Sequence, residues 1–390
     1  MQYKVHYAPG LIVAAIVLAA QLEIAWFLRN EWKDRLPKHA LLAVKGLLYF
    51  VWFITGAGIL IDQFGFQYSA LDPRLLTAVV AFAIIWGFTS GVSINIYAFA
   101  RYAFRNTLKF SPGRRRAVQA VTATAAAAPF ALVGFGAFIE RKAYVVREVD
   151  LPVPNLHPDL EGFRVAQISD LHVSAFLSVR DAGRVVDITN ELKPQLTLVT
   201  GDLISQPGDP LDGTIRELAR LKADDGVLGC LGNHEVYAKC QAYATREAAK
   251  AGIRFLRHQA VPLRRGNGTL NVAGVDFQSF ANKDNYLPNS SSLIVPGVSN
   301  LLLSHNPDVF PAAVRAGYDA MVGGHTHGGQ VTVEILNQTA NFARFFTPYV
   351  AGLYRLDGRS CYVNAGIGTI GMPVRLGASP EITLLRLRRA

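Results

Sequence analysis

The first 140 residues hold four windows of nearly uninterrupted apolar sequence, roughly 8–28, 40–61, 75–100 and 117–139. Each is close to the ~20 residues a helix needs to cross the ~30 Å hydrocarbon core of a bilayer. Short polar loops separate them, which argues against four buried helices of one large soluble domain. Composition agrees: 51% of the 390 residues are hydrophobic and only 17% charged, so part of the chain belongs in lipid. Residues 1–28 read as a membrane anchor and not as a signal peptide, because Lys4 is their one early cation and the apolar run is too long. Glu23 and Lys45 lie inside windows but away from their centres, and Lys45 can snorkel. Neither is assigned a transport role.

Basic residues stay on the cytoplasmic side of a membrane during insertion. The first and third loops together carry ten: Arg29, Lys33, Arg35, Lys38, Arg101, Arg105, Lys109, Arg114, Arg115 and Arg116. The opposite side carries five, Lys4, Arg74, Arg141, Lys142 and Arg147. Both chain ends are therefore expected outside the cytoplasm. The net charge of +10 and the Arg114–Arg116 triplet are assigned to topology or anionic lipid, and no nucleic-acid partner is expected, since no basic stripe interleaved with aromatics stands near the motifs below. The segments RRGNG (264–268) and RLRR (386–389) read as a turn and a solvated tail. Cys230, Cys240 and Cys361 show no C-x-x-C spacing and fix no compartment.

Beyond residue 140 glycine, proline and aspartate become frequent and apolar runs shorten to strand length. Residues 141–162 read as a linker and lead-in strand, and 163–390 as a second domain. Strands are expected at 163–170, 195–202, 226–235, 269–277, 299–307 and 319–327, with helices at 178–192 and 212–223. Early alternation of strand and helix defines an α/β unit, and the later run of strands an added sheet. Segments 278–298 and 336–355 are expected to be loops around a cleft, where substrate choice resides.

What stands at the strand ends carries the function: Asp170 and His172, Asp202, Asn233 and His234, His305, then His325 and His327. All are metal-ligand or proton-transfer types. The carboxyl ends of strands in an open α/β sheet converge on one crevice, so residues distant in the chain meet there. Singly, each has a bland reading as a cap, a turn or a structural histidine. Together, each closing an expected strand, they point to one site.

The ordered set SDLH, TGD, GNHE, SHNP and GHTHGGQ resembles the calcineurin-like metallophosphoesterase superfamily, over most of residues 144–390. It looks most like the membrane-tethered bacterial branch that includes UDP-diacylglucosamine pyrophosphatases. The resemblance implies a four-layer α/β/β/α domain, here preceded by a four-helix transmembrane region, and a site for two divalent metal ions. It would give one ion Asp170, His172 and His327, the other Asn233, His305 and His325, with Asp202 bridging. His234 would face the leaving group, and Glu235 receives no role. Alternation along an extended 325–327 segment is expected to aim both histidines the same way. Where purple acid phosphatases place a metal-binding tyrosine, this chain has Ser205, so no iron-tyrosinate centre is expected. Mn, Fe, Zn and Ni all suit the ligand set.

The implied chemistry is phosphoester or pyrophosphate hydrolysis by metal-activated hydroxide, on an amphiphilic or lipid-linked substrate. Arg375 is a candidate phosphate contact, with a plain surface loop as its alternative. A phospho-ligand sensor with little turnover is a second reading. A lipid A pyrophosphatase is a third, if the domain is cytoplasmic. The expected location is the bacterial inner membrane, with the catalytic domain on the extracytoplasmic side.

Overall fold

The computed structural model describes residues 15, 18–26, 29–30, 37–64, 73–104, 112–335 and 338–390. It divides into two compact units, Met1–Ala137 and Phe138–Ala390. In the first, three helices follow the last three apolar windows: α1 (Lys38–Phe64), α2 (Pro73–Phe104) and α3 (Pro112–Phe138). Three segments, Lys38–Ala57, Thr77–Phe104 and Pro112–Lys142, are helical and apolar over enough length to cross a membrane. The window at 8–28 lies largely outside the described residues, although 18–26 are helical. Gln21 there donates to Ser90 Oγ (3.0 Å) and accepts from Trp86 Nε1 (3.2 Å), the kind of polar tie that joins helices in lipid. Phe53, Phe88 and Phe99 point outward, 72%, 65% and 72% exposed. Water would not favour that many bare rings; hydrocarbon does.

In the second unit the chain runs β1 (Val145–Val153), β2 (Arg164–Ile168), α4 (Val179–Glu191), β3 (Leu196–Thr200), α5 (Leu211–Leu218), β4 (Val227–Cys230), α6 (Asn233–Tyr237), α7 (Gln241–Lys250) and β5 (Ile253–Phe255). It continues through β6 (Gln259–Arg265), β7 (Gly268–Gly274), β8 (Ser299–Leu303), α8 (Phe310–Ala316), β9 (Ala320–Gly323), β10 (Thr332–Ile335), β11 (Gln338–Asn341), β12 (Gly352–Leu356), β13 (Arg359–Val363) and β14 (Glu381–Arg389). Two six-stranded sheets result, ordered β1-β14-β2-β3-β4-β5 and β12-β13-β9-β8-β7-β6, with β10-β11 as a separate hairpin.

Alternation within strands assigns the faces. Val165, Leu198 and Leu228 of one sheet share a core with Val272, Leu301, Leu303 and Val322 of the other. On the first sheet's other face, Ile168 and Val199 meet Val185 of α4, Ile215 of α5 and Ala248 of α7. Leu302 and Met321 likewise meet Phe310 and Ala313 of α8. Strands buried on both faces are why LTLV, NLLL and AMV read as near-continuous apolar runs, broken only by Thr197 and Asn300. Helix α4 starts where Ser178 Oγ accepts from Asp181 N (3.1 Å) and Asp181 Oδ2 accepts from Ser178 N (3.2 Å), a reciprocal cap.

All six expected strands and both expected helices are present, each shorter than expected, with β7 and α5 starting one residue early. One expectation is corrected: RLRR at 386–389 is no solvated tail but the end of β14, inserted between β1 and β2. Its alternation explains this. Leu385 and Leu387 are buried, while Arg386 and Arg388 on the opposite face reach Asp150 Oδ1 of β1 at 2.8 and 3.0 Å.

Candidate metal centre

Strands β2, β3 and β4 run parallel, as do β7, β8 and β9, so within each sheet their carboxyl ends lie side by side. Asp170 and His172 follow β2, Asp202 follows β3, Asn233 and His234 open α6 after β4, His305 follows β8, and His325 and His327 follow β9. Three groups of ligand atoms lie within 4.8 Å of one another: Asp170, His172 and His327; His172, Asp202 and His234; and Asp202, His305 and His325. Asp202 Oδ2 stands 3.0 Å from His305 Nε2 and 3.4 Å from His172 Nε2. Asp170 Oδ1 stands 3.4 Å from His327 Nε2 and 3.8 Å from His305 Nε2.

These side chains converge because the backbone turns sharply. Asp170, His172, Asp202, His325 and His327 all have positive φ, between 47° and 76°. Non-glycine residues pay for that conformation, and such outliers gather at functional sites. The extended 325–327 segment expected from sequence is absent: β9 ends at Gly323, and Thr326 between the two histidines is right-handed helical. Left-handed turns, not pleat alternation, aim the imidazoles. At Gly324 a Cβ would overlap the Asp170 carboxylate, and at Gly232 it would overlap Asp202. Glycine is required at both.

Hydrogen bonds orient the rings. His305 Nδ1 donates to the Thr200 carbonyl (2.7 Å) and His172 Nδ1 meets Ser205 Oγ at 3.2 Å, which leaves both Nε2 atoms facing the carboxylates. Asn233 Oδ1 is buried with no hydrogen-bond partner among the described residues, and the buried His305 Nε2 meets only carboxylate oxygens there, Asp202 Oδ2 at 3.0 Å and Asp170 Oδ1 at 3.8 Å. Buried polar atoms left unpaired are costly unless something ligates them. Cations fit these residues. Burial and then His305 press His325 down to about 3, and burial, then His172 and Arg375, hold His327 well below the usual histidine range. Both are neutral with lone pairs available. Burial opposes charge on His305 too, yet Asp202 and Asp170 outweigh it and lift the ring to about 10. The carboxylates call for positive charge.

Several supporting residues had no legible role in the sequence. Glu235 is fully buried and accepts from the backbone N–H groups of Leu203 (2.7 Å), Gly232 (2.8 Å) and Asp202 (3.1 Å), tying the loops after β3 and β4 together. Ser205, noted in the sequence only as the absence of tyrosine, orients His172. Phe277 and Phe280 flank His325 with ring centroids at 5.6 and 5.4 Å. Arg375 is neither a surface residue nor a phosphate contact: its side chain is fully buried and donates to the carbonyls of Gly368, Ala365, Ala378 and His327. A guanidinium saturated by backbone oxygens has no face left for substrate.

Comparison with known proteins agrees with this geometry. Residues 163–329 match the family model for calcineurin-like phosphoesterases. A Bacillus subtilis protein named uncharacterized metallophosphoesterase YkuE is 27% identical, over 65% of this chain and 89% of its own. The Bos taurus transmembrane protein with metallophosphoesterase domain is 28% identical, over 63% of this chain and 57% of its own. The Escherichia coli phosphodiesterase YaeI is 29% identical, over 58% and 82%. The fold and site thus define a metal-dependent phosphoric ester hydrolase. Residues 163–329 carry the calcineurin-like phosphoesterase domain, in a chain that also has helices apolar and long enough to cross a membrane.

Proposed function

We propose that the chain is a membrane-anchored phosphoesterase that hydrolyses a phosphoester or pyrophosphate of an amphiphilic, lipid-linked substrate at a dinuclear metal centre. One observation carries the reading: six ligand-type residues, Asp170, His172, Asp202, His305, His325 and His327, close four separate strands and converge, and Asn233, next to the His234 whose N–H meets Asp202, has a buried Oδ1 with no hydrogen-bond partner among the described residues. Asp170, His172 and His327 would hold one ion and Asn233, His305 and His325 the other, with Asp202 between. The order of elements, helices outside two facing sheets, supports the four-layer family architecture. Held by these residues, divalent ions would supply Lewis-acid polarisation of a phosphoryl oxygen and a bound water acidic enough to act as a nucleophile near neutral pH.

The protein's own groups do the rest. Asp202 Oδ1 accepts from the backbone N–H of His234 (2.9 Å) and so fixes the start of α6 against the ligand set. His234 Nδ1 donates to the Ser205 carbonyl, which leaves Nε2 as the bare nitrogen that can take up a proton. Burial lowers this ring's pKa first of all. An anionic phosphoester beside it would reverse that, so Nε2 gains a proton and passes it to the leaving oxygen. His234→Ala should lower turnover of an aryl phosphodiester about 10²–10⁴-fold, the usual worth of a general acid, with metal content unchanged. Full activity in that variant would remove His234 from the mechanism.

The charge count of the loops supports a hydrolase domain outside the cytoplasm, at a bacterial inner membrane. A reporter fused after Ala390 that works only in the periplasm should be active. Activity solely of a cytoplasmic reporter would reverse the sidedness and favour a lipid A precursor as substrate.

A further inference from the structure

Apart from the ligand residues, the second unit contains an open cavity of about 430 Å³, inside the range of small-molecule sites. None of the seven ligand candidates lines it. Its wall includes Gly328, the residue after His327, and Asn341, whose Nδ2 donates to the Gly328 carbonyl (2.7 Å). Val149, Val350 and Leu353 supply apolar surface.

The charges in this wall do not cancel. Glu381 is buried, and its Oε1 accepts from the hydroxyls of Tyr362 and Thr383, both at 2.7 Å. Its Oε2 is paired with Arg147 Nε at 3.0 Å. Those two neutralise each other. Arg344 also lines the cavity, is exposed, and has no hydrogen-bond or ion-pair partner among the described residues. One guanidinium is left over, its planar fork suited to a phosphate or carboxylate, beside aliphatic surface suited to an apolar arm.

We propose that this cavity is a second ligand site, separate from the metal centre, for an organic anion that carries an apolar arm, with Arg344 binding the anionic head. It goes beyond the hydrolase reading and does not depend on it. Because its wall includes Gly328, an occupant contacts the loop that carries His327.

The test is calorimetric titration of the full chain, metal-loaded in neutral detergent, with benzylphosphonate, which cannot be hydrolysed as an ester. Two binding events are expected. Chelation of the metal removes one; Arg344→Ala weakens the other about tenfold, the scale of one charged hydrogen-bonding group, and Arg344→Lys restores part of it. Ala351→Trp, which fills the cavity without touching charge, should block the same event and leave basal turnover unchanged. Inorganic phosphate, lacking the arm, should bind there at least about tenfold more weakly. Dihexanoyl phosphatidic acid against benzylphosphonate separates a lipid from a soluble source, the tighter binder naming it. A single event abolished by chelation would overturn the proposal. So would a second event indifferent to both Arg344→Ala and Ala351→Trp, or equal binding of inorganic phosphate.

Discussion

Asp202→Asn should abolish most phosphoester hydrolysis while the protein still folds. Its carboxylate lies 3.0 Å from His305 Nε2 and 3.4 Å from His172 Nε2, and it is almost wholly buried. Burial opposes its charge, but His305 and His172 outweigh that and hold it well below the ordinary aspartate range, so it is ionised at neutral pH. Asparagine keeps the shape, the acceptor for the His234 N–H and tolerance of φ 54°. It removes only the negative charge, which in the proposed two-ion centre would offset repulsion between neighbouring cations. Lewis-acid stabilisation is worth several kcal/mol, and each 1.36 kcal/mol is tenfold in rate. A loss of about 10³-fold in kcat/KM is expected, with the unfolding temperature little changed. Hydrolysis within a few-fold of the parent would contradict the role.

Arg375→Met should produce the largest loss of stability. Burial draws its pKa down to about 10, so the group is still charged at pH 7. That charge is tolerated because Nε and Nη2 donate to the Gly368 carbonyl (3.0 and 2.6 Å) while Nη1 donates to Ala365 (3.0 Å) and Ala378 (2.8 Å). Nη2 also lies 3.4 Å from His327 Nδ1. Methionine fills the volume but strands those carbonyls, each costing about 1–3 kcal/mol when buried and unpaired. A net cost of about 4 kcal/mol corresponds to a fall of about 10 °C in the unfolding transition of a unit this size. Thermal unfolding of the full chain in detergent measures it. An unchanged transition would mean that these bonds contribute nothing net.

The metal-ligand candidates were legible because carboxylate, amide and imidazole residues closing apolar strands carry a signal independent of tertiary detail. Glu235, Ser205 and Arg375 were not. They act on backbone N–H and carbonyl groups or on a single ring nitrogen, and the fold alone decides which of these stand within reach. The same holds for how His325 and His327 are aimed. Left-handed backbone at glycine announces itself in a sequence, whereas at histidine and aspartate it does not. β14 was misread because its arginines dominated the impression of RLRR, although Leu385 and Leu387 alternate with them in the way a half-buried strand requires. The apolar windows were the easiest part, since length and hydropathy alone specify such helices.

The central claim is that these seven residues grip divalent ions, and elemental analysis of purified full-length protein tests it most directly. After loading with Mn, Fe, Zn or Ni and dialysis, each chain should retain a pair of ions, and His325→Ala or His327→Ala should release at least one of them. A folded chain that retains no ion, or that keeps its full complement in both variants, would contradict the account.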